Sequence, residues 1–370
     1  MNFHLTGHLR GTTQTQAWVS SGRISTTPPS GSVAKIEGWI YPGLVDCHTH
    51  PGASYDPEPI PDAEVLRRCA AYLANGVTAI RDCGGKRDPR TVRGGPLPKL
   101  MHAGEHITQP KRYFQHMGSE VEPGQLVSEI ERQAAVSDGW IKLIGDWIDR
   151  RRGRQADLEP IWDPAELADA VAAAHELGRK VTVHTFGTET IAPLLEAGVD
   201  GIEHGTGMTR EHLQEARKMG VLITPTVCQI ATFPQIASGA VKYPVYARRM
   251  IEMSRHQREH LELMVEEESL FLMGSDSTDD VATRTLPLEL VTAVVGGMPA
   301  DVVMAAASYA GRERIGLPNW QEGAPADFVV YDADPLTDIT TVFRPLAVLL
   351  DGELVGGTGV GGGEFVGVRQ

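Results

Sequence analysis

Two imidazoles separated by one residue, His48 and His50, follow the apolar run Gly43–Leu44–Val45–Asp46–Cys47. In a β-strand, residues i and i+2 share a face, so this pair would project side by side from the strand's end. Neutral imidazoles at that spacing suit a divalent cation such as Zn²⁺. Further along, His184 ends the run "KVTVH", His204 ends "GIEH" and Asp276 ends "LFLMGSD". Lys142 lies inside "WIKLIG", where an unpaired ammonium is costly to bury. Taken singly, each reads as a hydrogen-bonded core residue. Jointly, six groups able to bind or support a metal fall on five strand-like runs, and that points to metal-assisted chemistry.

The elements that must position them form a repeated alternation. Eight strand-like runs, "GLVDCH", "VTAIRD", "KLMHAG", "WIKLIG", "KVTVH", "DGIEH", "LITPTV" and "LFLMGSD", are mostly separated by helical segments. This predicts an α/β chain whose middle part, 42–318, folds as a (β/α)8 TIM barrel with its chemistry at the C-terminal strand ends. The clearest helix spans 164–177, with Asp163 as N-cap, Pro164 at N1, Glu166 at N3 and Gly178 past its end. One long helix is expected over 243–268. Short antiparallel strands at both ends, 1–41 and 319–370, have too few partners to stand alone. They are expected to meet in a small composite β-sandwich, with a loosely held Gly-rich tail after Gly356.

Composition narrows the function. The chain has 370 residues, a net charge of −14, 41% hydrophobic and 22% charged residues. That is a globular balance without the basic face that nucleic acid requires. No leader-like segment or 18-residue apolar run suggests a membrane. Cys47, Cys69, Cys83 and Cys228 lack C-x-x-C spacing and read as reduced thiols of a cytoplasmic protein. A small-molecule substrate and a homo-oligomer are expected.

The order of these motifs resembles the amidohydrolase superfamily along nearly the whole chain. "PGLVDCHTH", "TAIRDCGG", "VHTFG", "IEHG" and "GSDS" resemble its first-, second-, fifth-, sixth- and eighth-strand motifs, and "EGAPADFVVYDADP" its return into the terminal unit. Lys142 in "WIKLIG" most resembles the binuclear prolidase-like and Xaa-Arg/Lys-dipeptidase-like branch. The resemblance implies a carboxylated Lys142 bridging two divalent metals, Zn²⁺ by default, with Mn²⁺, Fe²⁺ or Co²⁺ also accepted. It implies His48, His50 and Asp276 on one metal, His184 and His204 on the other, and a bridging hydroxide as nucleophile. Asp276 would be the general acid/base for cleaving an amide-type bond in a dipeptide, N-acyl amino acid or cyclic amide. Two alternatives stay open. In a mononuclear deaminase or imidazolone-type hydrolase, His48, His50, His184 and Asp276 hold one metal, and His204 touches substrate. In a non-enzymatic scaffold, ligands would be missing, yet this chain keeps all six.

Loops add candidates. "GEHITQPKRYFQHMG" departs from the G-G-H stretch that the resemblance leads one to expect, and supplies Lys111, Arg112, Tyr113 and His116. Arg112 and Tyr113 are candidates to grip a substrate carboxylate. Gln229, past the seventh run, is a candidate to face the ligand. Arg81 and Asp82 read as a structural pair. The insertion "GDWIDRRRGRQADLEPIWD" reads as a lid or a solvated turn. His102 and His106 are among the histidines that carry no strand-end signal.

Overall fold

Alternating apolar and polar residues at both chain ends build one sheet. In the computed structural model, which describes residues 1–281 and 283–358, the N-terminal part contributes β1 (Phe3–Leu9), β2 (Gln16–Ser20), β3 (Arg23–Ser25) and β4 (Ala34–Pro42). The middle contributes β5 (Leu44–Thr49), β6 (Val77–Asp82), β7 (Lys99–His102), β8 (Ile107–Thr108), β9 (Ser119–Glu120) and β10 (Trp140–Ile144). It continues with β11 (Asp146–Ile148), β12 (Leu158–Pro160), β13 (Lys180–Thr185), β14 (Gly201–His204), β15 (Leu222–Thr224) and β16 (Leu270–Phe271). The chain then returns through β17 (Phe328–Tyr331), β18 (Ala347–Leu350) and β19 (Glu353–Gly356).

The two ends meet as expected, and their strands are continuous with one another. They are hydrogen-bonded into one seven-stranded sheet in the order β19-β18-β17-β4-β1-β2-β3. The reason is β4, which pairs in parallel with β1 on one edge and antiparallel with β17 on the other. One face of this sheet gathers Leu5, Val19, Ile36, Ile40, Phe328 and Leu349 around Trp320. The expected Asp351–Gly352 turn joins β18 to β19, with both residues in the left-handed region. The tail expected beyond position 358 lies outside the described residues.

The middle strands are parallel, apart from the hairpin β11–β12, and alternate with helices. β5-β6-β7 form one sheet and β16-β15-β14-β13-β10-β8-β9 another. The segment 272–277 lies between them: Leu272 N donates to Ile223 O at 2.8 Å, and Cys47 N donates to Met273 O at 2.8 Å. Only Leu270–Phe271 of the eighth run is ladder-paired strand. On β10, Ile141 and Leu143 pack with Ile130, Ala170 and Val171 in the helix-facing core. Trp140 packs elsewhere, with Val45, Cys47, Ala79, Leu222 and Leu272. Lys142 alternates with Ile141 and Leu143 and so shares the face of Trp140.

The helix expected over 164–177 runs Pro164–Glu176, and Asp163 accepts from Ala165 N (2.9 Å) and Glu166 N (3.3 Å). The expected long helix is broken at His256 into Pro244–Arg255 and Gln257–Glu266. Among the described residues, no helix is long and apolar enough to cross a membrane. All four cysteines are free and buried.

Candidate metal centre

β5 is buried along its whole length and delivers His48 and His50 with ring centroids 5.4 Å apart. The segment 272–277 aims them. Asp46 accepts from Ser275 N (3.0 Å) and Ser275 Oγ (2.6 Å), and Thr49 Oγ1 lies 2.8 Å from Ser277 Oγ. Gly274 backs directly onto His48: a Cβ there would come within 2.5 Å of His48 Cβ and 2.6 Å of its backbone nitrogen. Asp276 Oδ1 then sits 3.2 Å from His48 Nε2 and 3.7 Å from His50 Nε2.

β13 and β14 bring the second pair together, with His184 Nδ1 2.8 Å from His204 Nε2. His204, Thr226 and Asp276 adopt left-handed backbone angles, φ 67°, 45° and 51°. For residues other than glycine such angles cost about 1–3 kcal/mol each and cluster at functional sites. Left-handed His204 breaks the strand alternation, so Glu203 and His204 both reach the same interior.

Hydrogen bonds fix part of the protonation pattern. Gly84 O is 2.8 Å from His50 Nδ1 and can only accept, so Nδ1 carries a proton and Nε2 is the ring nitrogen turned to the centre. His204 Nδ1 meets Thr226 Oγ1 at 2.6 Å. Burial first, then the charge of His204 and Lys142, holds the His184 imidazole well below its usual pKa. Burial also leads in keeping His204 well below it. Asp276 is the reverse: burial would raise it, but His48, His50 and His204 hold it well below the usual carboxylate range. Lys142 Nζ and His184 Nε2 are buried without a hydrogen-bond partner.

Several participants were not anticipated. Glu203 is fully buried and accepts from Arg81 Nη2 at 2.5 Å and from Thr182 Oγ1. Its Oε2 lies 2.8 Å from His48 Nδ1, although off the angle of a hydrogen bond. Burial would raise the Glu203 carboxyl, yet Arg81, His48 and Lys142 keep it well below its usual range. Arg81 therefore pairs with Glu203 and Cys47 O (2.7 Å), while Asp82 pairs with His102 at 2.6 Å. The expected Arg81–Asp82 pair is not formed, because successive strand residues point to opposite faces. His102 in fact ends β7. His106 is buried against His50, ring centroids 6.1 Å apart, and burial pushes its pKa down to about 3.

The loop candidates separate. Tyr113 stands 5.4 Å from the His184 ring. Arg112 does not reach toward the histidines. Its Nη2 donates to Trp147 O (3.2 Å) and Glu159 O (3.0 Å), which ties it to the hairpin β11–β12. His116 is exposed and lines a separate cavity of about 180 Å³ with Lys86, Arg87 and Met117. Gln229 Oε1 accepts from Arg284 Nη1 at 2.6 Å, and the same nitrogen reaches Asp276 O at 3.3 Å. The arginines of the insertion form the expected exposed turn at 150–155, while the residues flanking them are packed. Ile148, Ala156 and Leu158 pack onto Phe186, Phe233, Tyr246 and Met250.

Residues 39–355 match the model of the amidohydrolase family, and the chain belongs to that family. An uncharacterised protein of Mycobacterium tuberculosis is 34% identical over 362 residues, 94% of this chain and 95% of its own. An adenine deaminase of Bradyrhizobium sp. is 24% identical over 209 residues, 50% of this chain and 31% of that protein. Among solved structures, a Xaa-Pro dipeptidase with methionine in its active site has a TM-score of 0.78 at 19% identity, covering 96% of this chain and 99% of that one. Aspergillus niger ochratoxinase has a TM-score of 0.78 at 21% identity, covering 97% and 96%. The fold is thus a TIM-barrel-like α/β fold, and the family is one of hydrolases of carbon–nitrogen bonds that generally depend on metal.

The residues fit a divalent metal. His48, His204 and Asp276 each place a ligand atom within 4.8 Å of the others. His50 turns its Nε2 to the centre, and His184 offers a buried nitrogen without a partner.

Proposed function

We propose that this protein hydrolyses an amide-type bond, in a dipeptide, N-acyl amino acid or cyclic amide, at a centre of two divalent metals. His48, His50, His184, His204, Asp276 and a carboxylated Lys142 would hold them. The observation that carries this reading is Lys142 Nζ, buried without a hydrogen-bond partner while its charge acts on the imidazoles of His48, His184 and His204. As an ammonium it makes no direct hydrogen bond there, although its charge reaches Glu203. Reaction with CO₂ would convert it to an anionic carbamate with two oxygens, able to offset two dications.

When bound, the metals would supply a water of lowered pKa and polarise the scissile carbonyl. Asp276, ionised and beside His48 and His50, is the group to take the proton of that water and return it to the leaving nitrogen. Glu203 braces the Nδ1 edge of His48, and Arg81 braces Glu203. We further propose that the two parallel sheets close into one eight-stranded barrel spanning about 42–318, with the terminal sheet as its accessory. Supporting this are Asp276 N to His48 O (2.7 Å), His50 N to Ser277 O (2.9 Å) and Asp138 N to His102 O (2.8 Å).

A second reading is the mononuclear one, favoured by the compact set His48, His204 and Asp276, which would make His204 a ligand rather than the substrate contact expected from the sequence. Metal analysis separates the two. Purified protein should hold close to two divalent metals per chain, and fewer after reconstitution without bicarbonate. Lys142→Ala should lose at least one metal and most turnover, with partial rescue by short carboxylic acids. Full metal content and normal turnover in Lys142→Ala would replace the binuclear reading with the mononuclear one.

A further inference from the structure

Three separate chain segments turn aromatic rings toward one side of the centre. Tyr55 follows β5, Tyr113 and Phe114 lie between β8 and β9, and Trp147 sits on β11. Their rings touch in sequence, mostly edge to face. Tyr55 meets Phe114 at 5.1 Å, Phe114 meets Tyr113 at 5.0 Å and Trp147 at 5.2 Å, and Tyr113 meets Trp147 at 4.6 Å. Tyr113 and Trp147 then stand 5.4 and 5.7 Å from the His184 ring. The run begins at the surface, where Tyr55 is 51% and Phe114 41% exposed, and ends at a candidate metal ligand.

From this geometry we infer that the site selects amides bearing an aromatic ring next to the scissile bond, read by Tyr55, Tyr113, Phe114 and Trp147. The inference rests on the hydrolase reading above and names its substrate class. Exposed aromatic rings in contact with one another mark a surface that is covered in use. Edge-to-face rings accept a further ring in the same geometry. The neighbouring cation does not make this wall a carboxylate reader, because the Arg112 Nη2 is bonded to Trp147 O and Glu159 O. Those same bonds hold the Trp147 backbone in place. The packing of Ile148 and Leu158 on Phe186 and Tyr246 seats the hairpin beneath it.

The test uses metal-loaded full-length enzyme and matched amides: N-benzoylglycine against N-acetylglycine, and glycyl-phenylalanine against glycyl-leucine. In at least one pair the aryl member should show kcat/KM about tenfold higher, equivalent to about 1.4 kcal/mol. Phe114→Ala and Trp147→Leu should erase that preference through the KM of the aryl member, bringing the aryl-to-alkyl ratio of kcat/KM to within about twofold of one. Binding of benzoate and acetate, measured by calorimetry with wild type and Phe114→Ala, runs in parallel. If no amide is cleaved by the metal-loaded enzyme, the hydrolase reading fails on these substrates. The role of the aromatic rings is then still decided by whether Phe114→Ala removes a preference for benzoate. Equal handling of aryl and alkyl probes, or a preference untouched by both substitutions, overturns the inference.

Discussion

Arg112→Ala should loosen the hairpin β11–β12 rather than remove a grip on substrate. The side chain is 8% exposed, and its Nη2 donates to the carbonyls of Trp147 and Glu159, which are cross-strand partners. Hydrogen bonds from a charged donor contribute about 1.5–3 kcal/mol each. Because one nitrogen serves both carbonyls, the two bonds together should be worth about 2–3 kcal/mol. Ile148 and Leu158 stay packed on Phe186, Phe233 and Tyr246, so the loss should appear as local opening. Hydrogen exchange at the hairpin amides and proteolysis at 150–155 should both accelerate. Turnover of acidic and neutral substrates should fall together, since Trp147 moves for both. Arg112→Lys should restore little, because an ammonium lacks the planar fork. Unchanged hairpin protection, with a loss confined to substrates bearing a carboxylate, would refute this reasoning and return Arg112 to the role of carboxylate clamp.

Three more outcomes follow from contacts at or near the centre. Gly274→Ala places a Cβ against the His48 backbone and should cost about 1–3 kcal/mol, read as a lower thermal midpoint together with reduced metal content; normal values for both would mean the segment yields freely. Glu203→Gln leaves Arg81 buried without its counter-charge and should destabilise by about 3–5 kcal/mol in denaturant unfolding; a change under about 1 kcal/mol would show the pair to be dispensable. Glu289 is buried beneath Val227 N and Cys228 N, and burial raises its pKa from 4.5 to about 7. The folded state therefore binds the proton more tightly than the unfolded one, so this stabilisation is complete below pH 4.5 and fades as pH rises through 7. Glu289→Gln should remove a decline of roughly 3 kcal/mol from that window, and identical pH slopes for wild type and variant would exclude it.

The sequence made the parallel strand–helix alternation and five candidate positions readable, because His48, His184, His204 and Asp276 each close an apolar run and Lys142 interrupts one. Their companions were hidden by departures from regular geometry. Glu203 adjoins His204, and period-two alternation sends one of them outward; the left-handed backbone at His204 cancels that rule. Register shifts in β5 likewise let Cys47 and His48 both face inward. His106 sits in the four-residue irregular link 103–106 between β7 and β8, beyond any periodic signal, although "GEH" differs from the expected G-G-H by one residue. Arg112 read as a candidate for a substrate carboxylate because its carbonyl partners lie 35 and 47 residues away. The break at His256 has no proline or glycine beside it, and nothing in the local sequence marks it.

The pairing of β4 sets an order of events during synthesis. One edge of this nine-residue strand can pair with β1 as soon as both leave the ribosome, but its other edge waits for β17. Tyr41, the partner of Val329, is separated from it by every candidate metal ligand in the chain. At about 5–20 residues per second, β4 would hold an open edge for roughly 15–60 s. An unpaired edge is a template for aggregation. A nascent chain truncated before Phe328 should therefore recruit chaperones or aggregate, whatever the state of its histidines, and the last strands to be made act as the seal on the first.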